Sequence, residues 1–362
     1  MRRRILLIAA TLVVVLAVAG LGAAWYLGKI FTNPSVHDAS AVSVPTNAVT
    51  VVAKGLAVPW GIAFLPDGSA LVTERDLAKV VSVTPDGKVT EVQSIPDVRP
   101  GGEGGLLGIA VSPKYATDKL VYVYYTAAND NRIARFTLGG TPQVIFSGLP
   151  KSGIHNGGRI AFGPDGLLYV GTGDASDSGR AQRIDYLGGK ILRLTPDGKP
   201  APGNPFGNSP VYSYGHRNVQ GLAWDHSGQF YASEFGQNRY DELNKIESGR
   251  NYGWPIVEGM GSDKQYTNPV ATWATSDASP SGLAIVGDRA YLACLRGTKV
   301  YRIGLDGHNA QVLLSGQYGR LRAVQVAPDQ SLWVSTSNKD GRGNPVPDDD
   351  RILRIAPAVL SA

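Results

Sequence analysis

IAFGPDGLLYVGTGD, residues 160–174, is an apolar strand, a Pro-Asp-Gly turn and a second apolar strand. Period-two alternation broken by such a turn reads as a β-hairpin. The same unit recurs as IAFLPDGSALVTE (62–74), IAVSPKYATDKLVYVYY (109–125), LAWDHSGQFYASE (222–234), LAIVGDRAYLACLR (283–296) and VQVAPDQSLWVST (324–336). Copies roughly 40 or more residues apart are the signature of a β-propeller, one hairpin per blade. The fold class is therefore all-β, a six-bladed propeller over residues 46–362. The strand 48–52 is expected to pair with 352–355, which closes the ring and leaves no open sheet edge there.

Composition agrees. The chain has 362 residues, 45 of them Gly and 23 Pro, and is 43% hydrophobic. That suits a large core with many turns rather than helices. The formal net charge of +5 includes Arg2, Arg3 and Arg4. The rest is close to balance, so no nucleic-acid footprint is indicated. The one cysteine, Cys294, has no partner for an internal disulfide and reads as a small buried apolar residue.

Residues 5–27 carry no charge and follow three arginines. A run of this length can span a bilayer, with the arginines cytoplasmic and the propeller outside. Residues 1–28 are expected to be a transmembrane anchor; the alternative is a cleaved signal peptide with its cut among the small residues 20–24. Either places the propeller outside the cytoplasm. Residues 29–45 read as a linker.

The repeat phase also locates a site. Glu103, His155, Arg217, Arg320 and Arg322 lie just before inner strands; Asp174, 234–237 and Arg296 lie just after the next strand of a hairpin. In antiparallel neighbours these positions share one end of the sheet. One mouth of the propeller should therefore hold a histidine, carboxylates and four arginines. Guanidinium groups bind planar carboxylates through two parallel hydrogen bonds, and a histidine beside a carboxylate suits a general base. The alternative is that the arginines pair with acids of neighbouring loops.

The segments GGEGGLLGIAVSP (101–113), IHNGGRIAFGPDGLLYVGTGD (154–174), GGKILRLTPDG (188–198), YGHRNVQGLAW (214–224), DELNKIESGRNYGWP (241–255), CLRGTKVYRI (294–303) and GRLRAVQVAPDQSLWVST (319–336) resemble the soluble quinoprotein sugar dehydrogenases. That family, of glucose/sorbosone type, includes aldose sugar dehydrogenases that use pyrroloquinoline quinone (PQQ). The resemblance implies a six-bladed propeller and PQQ-dependent oxidation of an aldose sugar at C1 to a lactone, with hydride passing to the quinone. It makes His155 the general base and Asp174 the residue that orients it, although an Asx turn after Gly173 would also account for Asp174. Arg217 and Asn218 match the family's Arg-Asn pair against the quinone. Glu103 falls near the sugar or the cofactor rim, unless it is a surface carboxylate. Arg296, Arg320 and Arg322 match basic residues that hold the PQQ carboxylates. His216 is expected to point elsewhere.

Calcium is the second implied cofactor. The backbone of Gly236 and Gln237 would hold it beside PQQ, and Asp241, Glu242 and Tyr252 would hold a structural calcium unless the acids are solvated turn residues. The chain departs from the family at Phe235 and Gln237, has arginine at 296 where the glucose enzyme has lysine, and has Ala323 after the arginine pair. The stretch between Trp254 and Arg296 is also short, which implies an open mouth and broad aldose use. No Cys-x-x-Cys-His haem motif is present, so electrons would leave to an external acceptor. Two other readings compete: a calcium-dependent lactonase, which needs no arginine ring, and a non-catalytic propeller that binds a protein or glycan.

Overall fold

The computed structural model describes residues 36 and 39–360. The anchor or signal segment expected at 1–28 lies outside the described residues; among the described residues no helix is long and apolar enough to cross a membrane.

Six sheets of four strands are built in chain order, the fifth extended by a short additional strand. Their inner strands are Pro59–Phe64, Leu106–Val111, Ile160–Phe162, Val219–Trp224, Pro280–Val286 and Leu321–Val326. Each pairs antiparallel with the next strand of its own repeat, as Ile160↔Val170 and Ile62↔Val72 show. Neighbouring inner strands touch all the way round, the sixth returning to the first, so the ring is closed. The backbones approach closely at the axis. A Cβ on Gly282 would stand 2.6 Å from the Val324 nitrogen and 2.7 Å from the Arg322 carbonyl, so only glycine lets strand five seat on strand six.

Closure is by the expected pair of strands. Val49–Ala53 pairs antiparallel with Ile352–Ile355, matching Val49 to Ile355 and Val51 to Leu353. The core lies between blades: Ile109 of the second packs with Leu71 and Val80 of the first, and Val324 of the sixth with Ala284 of the fifth. Cys294 is fully buried in it, and that burial pushes its thiol up.

The linker expectation needs correcting. Residues 36 and 39–45 belong to the propeller unit. Val36 donates its N–H to Thr272 on the outer strand of blade four at 2.9 Å. Ser40–Ala41 adds a parallel strand to the outer edge of blade five, beside Gln311 and Val312. Val42 and Val44 pack on the core shared by blades five and six. The physical reason is the outer strand Gln311–Leu313, whose free edge offers backbone partners to a passing chain.

Candidate active site

The loops at one end of the ring meet as the repeat phase implies. His155, on the loop entering blade three, is buried and holds a left-handed backbone conformation (φ 57°). Its carbonyl lies where a Cβ on Gly173 would stand, so Gly173 allows the loop that follows to pass beneath it and bring Asp174 alongside. The His155 Nδ1 and Asp174 Oδ1 are 2.7 Å apart. Asp174 also accepts the Ser176 amide at 2.9 Å and, on its other oxygen, the Trp254 indole N–H at 2.9 Å. The Asx turn and the histidine partnership thus coexist. Burial would raise the Asp174 carboxyl, but the bond to His155 and these further donors hold it below its ordinary value.

Arg217, from the connection into blade four, places Nη2 at 2.7 Å from His155 Nε2. A guanidinium only donates, so Nε2 presents a lone pair and the ring proton sits on Nδ1, facing Asp174. His155 is therefore neutral and oriented, with Nε2 facing Arg217. Arg217 is itself fixed by Gln237 Oε1, which accepts its Nε at 2.9 Å and Nη2 at 2.6 Å, and by the Phe235 carbonyl at 3.0 Å. Burial lowers its pKa against the field of Asp174. Asn218 accepts the Gly157 amide through Oδ1, while its buried Nδ2 has no partner among the described residues.

Beside this group lies a cavity of about 190 Å³. Arg75, Glu103, Gln220 and Arg322 supply its polar wall; Phe235 and Leu295 supply its apolar wall. Arg320 and Arg322 share one carboxylate, Asp340, at 2.8 and 3.3 Å. Burial pulls Arg322 down to about 10. Arg75 pairs with Asp76 and Arg342 with Glu103, both within 2.8 Å. Glu103 also accepts the His155 amide; burial would raise its carboxyl, but this bond and Arg342 hold it low. The arginines do take acidic neighbours, yet two share Asp340 and Arg217 has no carboxylate of its own among the described residues. The mouth keeps an excess of positive charge.

Two groups of expected residues are not assembled as the sequence suggested. Arg296 is exposed, and its neighbour Leu295 takes the cavity wall. Asp241 and Glu242 do not converge, because successive residues of the strand Tyr240–Ile246 point to opposite faces. Asp241 accepts the amides of Gly236 and Ser279, and burial raises its carboxyl to about 7. Glu242 lies directly across from Glu234 and accepts the Gly259 amide and the Asn244 side chain. Burial, with Glu234 beside it, raises Glu242 well above its usual range. Asn244 Oδ1 and Thr272 Oγ1 lack partners among the described residues. His216 is buried against Glu234 at 2.6 Å and stacks on Tyr252, away from the cavity. Among the described residues no three His, Cys, Asp or Glu side chains converge as a metal site.

Sequence reasoning missed Arg75, Gln220, Asp340 and Arg342. Arg75 was findable: it follows the second strand of its repeat, as Asp174 does. Asp340 and Arg342 lie on a long loop beyond the last repeat, which no phase argument reaches.

A propeller whose axial mouth pairs a carboxylate-oriented, neutral histidine with a cationic cavity is an enzyme-like scaffold for an anionic ligand. The sequence model for glucose/sorbosone dehydrogenases matches residues 56–353, and the chain belongs to that family. It is similar to the aldose sugar dehydrogenase of Streptomyces coelicolor, whose structure was solved in a PQQ-bound form: 54% identity, TM-score 0.82, covering 84% of this chain and 97% of that one. It is 29% identical to the Escherichia coli aldose sugar dehydrogenase YliI, over 81% of this chain and 91% of that protein. To quinoprotein glucose dehydrogenase B of Acinetobacter calcoaceticus it is 31% identical, over 65% of this chain and 59% of the relative.

Proposed function

We propose that the protein is a PQQ-dependent aldose dehydrogenase that oxidises the sugar at C1 to a lactone and passes the electrons to an external acceptor. The observation that carries this is His155, held between Asp174 on Nδ1 and Arg217 on Nε2 and bonded through its amide to Glu103, which lines the cavity with Arg75 and Arg322. The 54% identity to a PQQ-bound relative supports the same reading.

The donor set suits PQQ. Arg322 and Arg320, half-neutralised by a shared Asp340, have charge to spare for carboxylates, and the unpartnered Asn218 Nδ2 has a hydrogen bond to give. When bound, PQQ supplies the two-electron acceptor for the C1 hydride. The protein's part is proton handling and placement. His155 Nε2 takes the proton of the C1 hydroxyl once substrate displaces the contact with Arg217. Asp174 steadies the imidazolium that forms. Arg217 stays beside the reacting atoms and stabilises negative charge developing there. Glu103, bonded to the His155 backbone, lines the cavity with Arg75 and would meet the sugar or the cofactor rim there.

Calcium fits with one revision. Gly236 and Gln237 would hold the cofactor's cation through their backbone. A structural cation would take Glu242 together with Glu234 and the orphan oxygens of Asn244 and Thr272, a hard-oxygen set, with Tyr252 lying against His216 beside it; Asp241 is turned to the other face. Residues 1–28, as anchor or signal, would place the enzyme at or beyond the membrane, on the non-cytoplasmic side.

The test reconstitutes the purified chain with calcium and PQQ, adds an aldose, and follows reduction of an artificial dye. Sugar-dependent reduction that disappears without PQQ is expected. His155→Gln should keep PQQ and lose turnover; persistent turnover would remove the general-base assignment. No PQQ uptake by the parent protein would turn the reading toward a non-catalytic binding propeller.

A further inference from the structure

The roles above leave Glu258 unused, although its contacts are unusual. One oxygen of its carboxylate accepts four consecutive backbone N–H groups: Gln237 at 2.7 Å, Asn238 at 3.0 Å, Arg239 at 2.9 Å and Tyr240 at 3.1 Å. Successive amides turned onto one anion form a concave nest. The consequence lies on the other side of each peptide. In a trans planar unit the C=O is antiparallel to the N–H. The amide of Gln237 therefore fixes the carbonyl of Gly236, and the amide of Asn238 fixes that of Gln237. Both carbonyls are directed away from Glu258.

The same loop holds Arg217, through the Phe235 carbonyl and the Gln237 side chain, and Arg217 in turn reaches His155. Glu258 thus stands behind one end of the line Asp174–His155–Arg217–Gln237. Trp254, four residues earlier, stands behind the other end, its indole N–H on Asp174. The segment that carries both is itself fixed. Gln182 and Asn251 exchange amide hydrogen bonds at 3.0 and 2.7 Å, Gln182 also donates to the Trp254 carbonyl, and the Gly259 amide is held by Glu242.

We propose that Glu258 is a positioning residue, which shapes the loop 235–240 so that Arg217 and the carbonyls of Gly236 and Gln237 are set for the cofactor and its cation. This rests on the PQQ reading above. It also explains how the loop keeps a defined path despite Phe235 and Gln237: the path is dictated by backbone amides meeting one carboxylate, not by the side chains at those positions.

The experiment uses the full chain freed of cofactor. PQQ is titrated in the presence of calcium, and binding is followed by quenching of tryptophan fluorescence for the parent, Glu258→Gln and Glu258→Ala. Thermal melts report the fold. Glu258→Ala should weaken PQQ binding about 10- to 100-fold, the scale seen when groups supporting a ligand set are removed. Glu258→Gln keeps an acceptor oxygen but no charge, and should fall between the two with a melting temperature close to the parent's. The calcium needed for half-maximal PQQ uptake should rise in the same order. A residue that merely stabilises the fold would lower the melting temperature and leave PQQ affinity of the folded protein unchanged. Affinities within twofold of the parent overturn the proposal; if Glu258→Ala fails to fold, Glu258→Gln decides alone. A parent that binds no PQQ overturns the functional reading and this one together, whereas normal parental binding with indifferent variants overturns only the role of Glu258.

Discussion

Replacing Asp174 with Asn is expected to abolish most turnover while leaving the cofactor bound. The carboxylate meets three donors: the His155 Nδ1–H and the Ser176 amide on one oxygen, and the Trp254 indole on the other. An asparagine has one acceptor oxygen, so its NH2 must face a donor. If the NH2 faces Trp254, the histidine keeps its tautomer but loses the charge that stabilises the imidazolium. If it faces His155, the ring proton moves to Nε2, where it confronts Arg217 Nη2 at 2.7 Å, and the lone pair needed for catalysis is gone. General-base catalysis is worth roughly 10²- to 10⁴-fold, or about 2.7–5.4 kcal/mol at 1.36 kcal/mol per tenfold, and that is the loss expected in kcat. The assay is PQQ- and calcium-loaded dye reduction with saturating aldose, beside a PQQ titration. Asp174 is held below its ordinary pKa, so its contribution is present above that range and lost only as pH falls through the lowered value. The deficit should therefore be the same at pH 6 and pH 8. Turnover within threefold of the parent, with PQQ bound, would refute the orientation argument.

Arg320→Ala should weaken PQQ affinity by about 1.5–3 kcal/mol, the worth of a charge-assisted hydrogen bond, while leaving Asp340 paired to Arg322; an unchanged titration would remove Arg320 from the cofactor's partners. Lys190 is fully buried and donates to the carbonyls of Ala181 and Gly188, and burial lowers its ammonium to about 7. An unfolded chain keeps that proton up to about pH 10.4, so stability should rise between pH 7 and 10 in the parent, and urea midpoints of Lys190→Met should show a flatter rise. A chain begun at residue 46 loses the backbone bonds of Val36, Ser40 and Val42 and the packing of Val42 and Val44; a loss of about 2–4 kcal/mol, at roughly 0.5–1.5 kcal/mol per hydrogen bond plus the apolar contacts, should appear in its urea midpoint, and an unaltered midpoint would mean that the strap is ornamental to stability.

The propeller was legible because each blade announces itself locally: IAFGPDGLLYVG is a hairpin whatever surrounds it. Closure was legible for the same reason, since Val49–Ala53 and Ile352–Ile355 are alternating strands left without partners in their own neighbourhoods. The strap at 36–45 was not, because its pairing depends on an edge some 270 positions away, Gln311–Leu313, and two residues of parallel strand leave no periodicity. At the mouth, phase alone brought His155, Asp174 and Arg217 to one end of the ring. It did not reveal that Asp241 and Glu242 look opposite ways, although the alternation of their strand contained that information. Nor did it reveal Glu258, whose contacts are to backbone amides and so carry no sequence pattern at all.

Blade six is assembled from residues 49–53 and 321–355. The final pairings of the fold thus wait for the chain's last strand to appear, and no nascent fragment can complete a ring. Such long-range order makes folding slow. Without Ile352–Ile355, the strand Val49–Ala53 has no partner and the ring stays unsealed.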